Sequence, residues 1–295
     1  MNTSYYLIKA ILRLKGTKRL FSKNPIPVNE LRREDKLQPP NKLARLFNLR
    51  TFFISDSKIT ELESKNSSQS QRLIIYLPGG AFISGPNKYA WEFIHNISAK
   101  TKWTSWLVNY PKAPEYQIDT ITKDIYAVYL KALEKYPSEK IVLVGDSAGG
   151  NLVLSLVQKL IQEKEAVPFK TILITPVVEC SLDHPEIKSI DPLDPMLSKS
   201  GVRSAKQMCA GELSLKNPLL SPKYGDFKNY PETLLFIAEY DILTPDTQEL
   251  GEIMKNQGVK IHTHFGKNMP HIWPLLPVIP EGKRTRKKII DFILN

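Results

Sequence analysis

Apolar residues in the second part of the chain occur in short runs that alternate with longer amphipathic segments. The runs predict six strands: Leu73–Leu77, Trp106–Val108, Ile141–Val144, Thr171–Val178, Leu234–Ala238 and Lys260–Phe265. Helical spacing of apolar residues predicts four helices between and after them: Asp119–Tyr136, Ala148–Glu165, Asp246–Gln257 and Glu281–Leu294. Apolar strands that alternate with helices are typical of a mainly parallel sheet covered by helices on both faces. We therefore predict an α/β fold.

The remaining segments follow other patterns. Residues 5–14 fit a helix that places Lys9 and Arg13 opposite an apolar side, and the proline-rich residues 22–42 predict an irregular connection. Further strands are predicted at Thr51–Ile54 and at Lys58–Glu63, the latter with the alternation of an edge strand, followed by a polar hairpin loop at 64–70. Residues 180–231 are rich in proline without a strand pattern, which indicates an insertion.

The basic charge of the chain is concentrated at its N-terminus. The 295 residues include 41 Lys and Arg against 30 Asp and Glu, a net charge of +11. Twelve of these basic residues and three of the acidic ones lie in the first fifty positions, so this segment carries +9 and the rest of the chain +2. A nucleic-acid-binding domain is expected to carry its positive charge over the folded body, so we predict no nucleic-acid partner.

The sequence contains no convincing targeting segment. Lys9 interrupts the apolar run that a signal peptide needs, and no stretch approaches the ~20 apolar residues of a membrane span. Two cysteines, Cys180 and Cys209, cannot form a disulfide framework and are expected to be reduced packing residues. We expect a cytoplasmic protein.

The segment Gly145-Asp146-Ser147-Ala148-Gly149 lies between a predicted apolar strand and a long predicted helix. G-x-S-x-G in this context forms a tight turn that lifts the serine hydroxyl above the sheet. The turn also places a helix N-terminus, with its free N–H groups, beneath any developing oxyanion. We therefore predict that Ser147 is a nucleophile.

A second glycine-rich segment, Pro78-Gly79-Gly80-Ala81-Phe82, follows the predicted strand Leu73–Leu77. Small residues allow backbone N–H groups to approach a substrate oxygen closely. Alone the segment could equally be a plain turn. Beside a nucleophilic serine it is better interpreted as an oxyanion loop.

A nucleophilic serine needs a general base, and the base needs an orienting carboxylate. Asp241 follows the strand Leu234–Ala238, and His271 follows the strand Lys260–Phe265. The order Ser147, Asp241, His271 is that of the α/β-hydrolase architecture. Glu239 and Asp246 compete for the acid's role, but Glu239 is closer to the strand body and Asp246 fits a helix N-cap. Of the other histidines, His262 and His264 lie on one face of a strand, His95 in a helix-like stretch and His184 in the insertion.

From about residue 72 onward the sequence resembles the hormone-sensitive-lipase-like family of α/β-hydrolases, the bacterial acetyl esterase and carboxylesterase group. Six segments carry the resemblance, in the family's order: Pro78–Phe82 for His-Gly-Gly-Gly-Phe, Tyr110–Glu115 for Tyr-Arg-Leu-Ala-Pro-Glu, the nucleophile motif Gly145–Asn151 unchanged, Asp194–Ser198, Tyr240–Asp246 and Met269–Pro274.

The resemblance implies an α/β-hydrolase fold with a catalytic domain at 51–179 and 232–295. Residues 1–50 and the inserted residues 180–231 would form a cap. It implies a catalytic triad of Ser147, Asp241 and His271, with an oxyanion hole drawn from Gly79, Gly80, Ala81 and Ala148. Two positions depart from the family: Pro78 replaces a histidine that braces the oxyanion loop, and Ala81 replaces a glycine.

The expected function is that of a serine esterase acting on short-chain carboxylic esters through an acyl-enzyme, without cofactor or metal. An amide or peptide hydrolase using the same triad and a non-catalytic binding protein on a hydrolase fold are the alternatives. The expected partner is a small ester. The oligomeric state stays open. Contact of residues 1–23 with a membrane surface is a further alternative, but we favour a role in the cap.

Overall fold

The computed structural model describes residues 9–12, 14, 16–65, 70–276 and 279–295. These residues form an eight-stranded sheet with the order β1-β2-β4-β3-β5-β6-β7-β8. The strands are β1 (Phe47–Ile54), β2 (Ser57–Ser64), β3 (Leu73–Leu77), β4 (Thr104–Asn109), β5 (Ile141–Asp146), β6 (Lys170–Ile174), β7 (Glu232–Tyr240) and β8 (Ile261–Pro270). Strand β2 pairs antiparallel with β1 and β4, and the other pairs are parallel. This confirms the predicted α/β-hydrolase fold.

The described part of the chain contains both α-helices and 3-10 helices. The α-helices are α1 (Thr17–Phe21), α2 (Val28–Arg32), α3 (Lys88–Thr101), α4 (Ile118–Leu133), α5 (Ala148–Gln162), α6 (Ile187–Ile190), α7 (Lys199–Ala210), α8 (Thr244–Asn256) and α9 (Pro280–Leu294). Short 3-10 helices span Asn41–Arg45, Ser138–Lys140, Pro222–Tyr224 and Trp273–Leu275. Of the helix predicted at 5–14, residues 9–12 and 14 are helical. Residues 5–8 and 13 lie outside the described residues. None of the described helices is both long and apolar enough to cross a bilayer.

Helices cover both faces of the sheet, which explains the continuous apolar runs of its central strands. In β3, Leu73, Ile75 and Leu77 belong to one hydrophobic core with residues of α4, α5 and α8. Ile74 and Tyr76 belong to the opposite core, with residues of α3 and α9. A strand buried on both faces gains from apolar residues at every position.

The structure corrects several predicted elements. Strand β2 is not an edge strand, because it is paired on both sides, and the edge is β1. The segment 64–70 is not a hairpin loop, since β2 and β3, which it joins, are not neighbours in the sheet, although residues 66–69 lie outside the described part. Strand β6 ends at Ile174, before a Thr175 in the left-handed backbone region.

The N-terminal segment packs against the insertion. The Lys18 ammonium lies 2.8 Å from Asp191 Oδ1 and donates a second hydrogen bond of 2.8 Å to the Leu197 carbonyl. The Ile26 N–H donates to Ser204 Oγ on α7 at 3.0 Å. These contacts place α1 and the start of the connection beside α7.

Candidate active site

Ser147 lies in the turn between β5 and α5, with φ 52° and ψ −120°. A non-glycine residue in such a sparsely populated conformation stores about 1–3 kcal/mol of strain, which persists only where the surroundings fix it. Here the fixing includes close packing on Gly149, where an added Cβ would lie 1.8 Å from the Leu77 carbonyl oxygen. The turn therefore holds the Ser147 hydroxyl at the end of the sheet's central strands.

The structure brings Ser147, His271 and Asp241 together in one hydrogen-bonded chain. His271 Nε2 lies 2.9 Å from Ser147 Oγ, and His271 Nδ1 lies 2.6 Å from Asp241 Oδ2. With Nδ1–H donating to the carboxylate, Nε2 is free to accept the serine proton. The other carboxylate oxygen of Asp241 accepts the N–H of Leu243 at 2.9 Å. All three side chains are buried, with the serine 8% exposed.

Burial and charge act in opposite directions on His271. Burial alone lowers the pKa of the imidazole, but the charge of Asp241 and its hydrogen bond raise it, and the net pKa lies above the usual value. Asp194 lies in the insertion, and its carboxylate oxygens accept the N–H groups of Ile242, Met196 and Leu197. Its burial, together with the charge of Asp241, raises the pKa of the Asp194 carboxyl.

The segment Pro78–Phe82 lies beside Ser147, and the structure shows that the Gly79 N–H does not point to an oxyanion. Its N–H donates to Asp146 Oδ1 at 3.1 Å and is therefore already used. Within the described part of the chain, the N–H groups of Gly80 and Ala81 have no hydrogen-bond acceptor. Ala148 is the first residue of α5, where N–H groups lack an intrahelical partner. Three of the four predicted donors thus remain available.

Ala81 adopts the left-handed conformation that would favour glycine, with φ 53°. This conformation costs an alanine on the order of 1 kcal/mol. The preceding Gly80 has φ 140°, and a Cβ there would lie 2.0 Å from the Ser84 carbonyl oxygen, so this position accepts only glycine.

The segment Pro78–Phe82 and the residues that follow it are held by side chains that the sequence patterns did not reveal. The Tyr110 hydroxyl donates to the Pro78 carbonyl at 2.8 Å. On the far side of the loop, Asp35 Oδ1 accepts the Gly85 N–H at 2.7 Å, and Arg32 Nε donates to the Ile83 carbonyl at 2.8 Å. Tyr110 therefore holds the first residue of the segment through its carbonyl.

Neither competing carboxylate lies beside His271. Asp246 is not an N-cap but the third residue of α8, and its Oδ1 lies 2.8 Å from Lys223 Nζ. Glu239 Oε2 accepts the N–H of Asn268 at 2.5 Å. Both carboxylates therefore stabilise local structure.

The other four histidines contact other partners. His262 Nε2 lies 2.8 Å from Glu232 Oε1, and His264 Nε2 lies 3.0 Å from Lys288 Nζ. His184 lies beside Glu249, and His95 packs edge-on against Phe47. Only His271, of the five histidines, bonds to Ser147 in the described structure.

A cavity of about 560 Å³ opens above Ser147 and His271. The sheet side of its lining includes Gly80 and Ala81. The opposite side comes from the N-terminal segment, through residues such as Leu20 and Phe21, and from the insertion, through Leu197, Val202 and Lys206. Across the described residues, no three His, Cys, Asp or Glu side chains are grouped so as to hold a metal ion.

Comparison with known proteins finds a matching family and relatives that are named as an esterase and an acetyl-hydrolase. The sequence profile of the alpha/beta hydrolase fold family matches residues 74–275. An esterase of Acinetobacter venetianus is 26% identical over an alignment that covers 98% of this chain and 95% of that protein. An acetyl-hydrolase of Streptomyces hygroscopicus is 23% identical, covering 74% of this chain and 73% of that protein.

Solved structures share the architecture over the whole chain. A crystal structure of an esterase from the bacterial hormone-sensitive lipase family aligns with a TM-score of 0.85 at 20% identity, covering 100% of this chain and 98% of the other. An esterase/lipase from an uncultured bacterium aligns with a TM-score of 0.86 at 22% identity, covering 99% and 98%. At such identities the likeness shows the fold alone.

Proposed function

Because the chain belongs to the alpha/beta hydrolase family, we propose that it is a serine esterase that hydrolyses short-chain carboxylic esters. The single observation that carries the proposal is the hydrogen-bonded chain from Ser147 Oγ through His271 to Asp241. Relatives named as an esterase and as an acetyl-hydrolase support the reaction class.

The proposed reaction begins with acylation. Ser147 Oγ attacks the ester carbonyl while His271 Nε2 takes the hydroxyl proton, and Asp241 stabilises the resulting imidazolium. The carbonyl oxygen becomes an oxyanion that accepts hydrogen bonds from the N–H groups of Gly80, Ala81 and Ala148. When the tetrahedral intermediate collapses, the ester C–O bond breaks and His271 returns the proton to the leaving alcohol.

Deacylation repeats these steps with water. His271 Nε2 takes a proton from a water molecule, whose oxygen attacks the acyl carbonyl bound to Ser147. Collapse of the second tetrahedral intermediate returns the proton to Ser147 Oγ and releases the carboxylic acid. The same three N–H groups stabilise both oxyanions.

We also propose that residues 1–50 and 180–231 form the cap over this site. The contacts of Lys18 and Ile26 with the insertion support this arrangement, as does the buried position of Leu12 on the cavity lining. The cavity volume of about 560 Å³ lies in the lower half of the range for small-molecule sites. Short acyl chains are therefore expected to fit best.

The test is a series of p-nitrophenyl esters from acetate to palmitate, measured with the wild type and three variants. Ser147→Ala should lower kcat by about 10⁶-fold, and His271→Ala by a similar factor. His264→Ala is the matched control, because this histidine on β8 contacts Lys288 and does not line the cavity, and it should change kcat little. Near-normal turnover by Ser147→Ala, or the highest kcat/KM on palmitate, would refute the corresponding part of the proposal. A matched p-nitroanilide of the best acid distinguishes an esterase from an amidase.

A further inference from the structure

A buried lysine lies on the lining of the same cavity as Ser147. Lys206 belongs to α7, is 1% exposed, and shares one face of that helix with Val202, which also lines the cavity. Lysine is almost never fully buried unless its charge has a partner. The surroundings of this ammonium therefore indicate what it is for.

The protein satisfies only part of the hydrogen-bonding capacity of Lys206. Its Nζ donates to the Glu179 carbonyl at 3.1 Å, and it forms no ion pair with a carboxylate among the described residues. The Glu179 carboxylate itself is taken by the N–H groups of Ser181 and Leu182. Because an ammonium has three N–H donors, two are left for an acceptor outside the described chain.

Nearby charges do not fully offset the burial. Burial lowers the pKa of Lys206, while charge interactions with Cys180, Glu179, Asp246 and Asp241 raise it, and the net pKa lies below its usual value. Those carboxylates are engaged elsewhere, Asp241 with His271 and Asp246 with Lys223. A substrate anion beside the ammonium would provide the partner that the protein does not.

The other charged groups on the cavity lining are arranged differently. Asp146 is buried, but its Oδ1 accepts the Tyr76 hydroxyl at 2.6 Å and the Gly79 N–H at 3.1 Å. The remaining charged lining residues belong to the N-terminal segment or the start of α3 and balance in sign: Arg19, Arg33 and Lys88 against Glu30, Glu34 and Asp35. Lys206 is thus the buried cation on the described lining with donors to spare.

We propose that Lys206 binds a carboxylate carried by the substrate, so that the preferred esters of this enzyme are anionic. The proposal rests on the proposed esterase function and defines its substrate class. The carboxylate would belong to the acyl or to the alcohol part, at a distance from the scissile carbonyl. A methionine would fill the same space without requiring an anion, which makes it the informative replacement.

The experiment compares two pairs of esters that differ only by a methyl group or a carboxylate. For the acyl part, mono-p-nitrophenyl glutarate is compared with p-nitrophenyl pentanoate. For the alcohol part, 4-acetoxybenzoate is compared with 4-methylphenyl acetate. In the wild type, one carboxylate ester should exceed its neutral partner in kcat/KM by about 10-fold or more, in line with a hydrogen bond to a charged group.

Lys206→Met should lower kcat/KM for that anionic ester by about 10- to 100-fold and preserve or raise it for the neutral one. Lys199→Met, on the same helix but away from this cavity, is the control and should leave the ratio unchanged. A wild type that favours the neutral ester in both pairs, or an unchanged ratio in Lys206→Met, overturns the inference while leaving the esterase proposal intact. If Lys206→Met does not fold, inhibition of p-nitrophenyl acetate hydrolysis by glutarate, compared with pentanoate, decides with the wild type alone: stronger inhibition by glutarate supports the inference, and its absence refutes it.

Discussion

Replacing Tyr110 with phenylalanine removes one oxygen atom from the brace of the oxyanion loop. The Tyr110 hydroxyl is the donor in a 2.8 Å hydrogen bond to the carbonyl of Pro78, and both residues are buried. Pro78 leads directly into Gly79, Gly80 and Ala81. We predict that Tyr110→Phe folds normally but holds the N–H groups of Gly80 and Ala81 less firmly over Ser147.

The size of the effect follows from the atoms left behind. A buried carbonyl that loses its donor costs about 1–3 kcal/mol of stability. Since 1 kcal/mol lowers Tm by roughly 2–4 °C in domains approaching this size, we expect a decrease of about 2–12 °C. Loss of a whole oxyanion donor costs about 10²–10³ in kcat, so a loosened loop that keeps its donors should cost roughly 10-fold. KM should change little, because the donors act mainly on the developing oxyanion.

Tyr129→Phe is the matched control. Tyr129 is fully buried, and its hydroxyl donates to the Ala166 carbonyl at 2.9 Å, on α4 and away from the cavity lining. Thermal unfolding and steady-state hydrolysis of p-nitrophenyl butyrate are measured for both variants. Both should lose stability, but only Tyr110→Phe should lose kcat. Equal kcat in the two variants would refute the reasoning and leave Asp35 and Asp146 as the residues that position the loop.

Three further predictions concern the site and its cover. Asp241→Asn should lower kcat by about 10⁴-fold. It should also move the acid limb of the kcat/KM profile to lower pH, because His271 must be neutral to accept a proton and the carboxylate that raises its pKa is gone. Asp246→Asn should leave the position of that limb unchanged, and a larger loss of kcat in Asp246→Asn than in Asp241→Asn would reassign the acid. Ala81→Gly should relieve about 1 kcal/mol of left-handed strain, partly offset by the greater entropy of unfolded glycine, so Tm should be unchanged or up to about 2 °C higher, and a clear decrease in Tm would contradict it. Deletion of residues 1–23 should lower Tm, expose apolar surface to a hydrophobic dye and alter the acyl-chain profile; unchanged stability and activity with loss of binding to anionic vesicles would instead favour a membrane anchor.

The central strands and the helix after Ser147 could be predicted from sequence because their signals are local. The predicted strand Leu73–Leu77 has the observed bounds of β3, since burial on both faces makes the whole strand apolar. Helix α5 begins at Ala148 as predicted, directly after a serine turn whose glycines are required by close packing. Each member of the proposed triad follows a strand, and the carboxyl ends of parallel strands meet at one edge of the sheet.

Other features depend on contacts between distant parts of the chain. Strand β8 continues to Pro270 although Lys267 and Asn268 are polar, because it pairs with β7 beyond a register shift between Ala238 and Tyr240. The use of the Gly79 N–H by Asp146 joins residues 67 positions apart. Likewise, nothing in the sequence distinguishes Lys206 from a solvent-exposed lysine, and its burial on the cavity lining follows only from the packing of α7. No local pattern contains such information.

The hydrogen bond between Tyr110 and Pro78 joins two of the segments that carry the family resemblance. Strands β3 and β4 are parallel neighbours, with Tyr76 opposite Leu107, so the segments that follow them emerge side by side. Pro78 donates no N–H, but its carbonyl is an acceptor, and Tyr110 presents a donor at the matching place. This hydrogen bond ties the start of the segment Pro78–Phe82 to the residue that follows β4. The two motifs form one structural unit, and a substitution in either is best interpreted together with the residue that faces it.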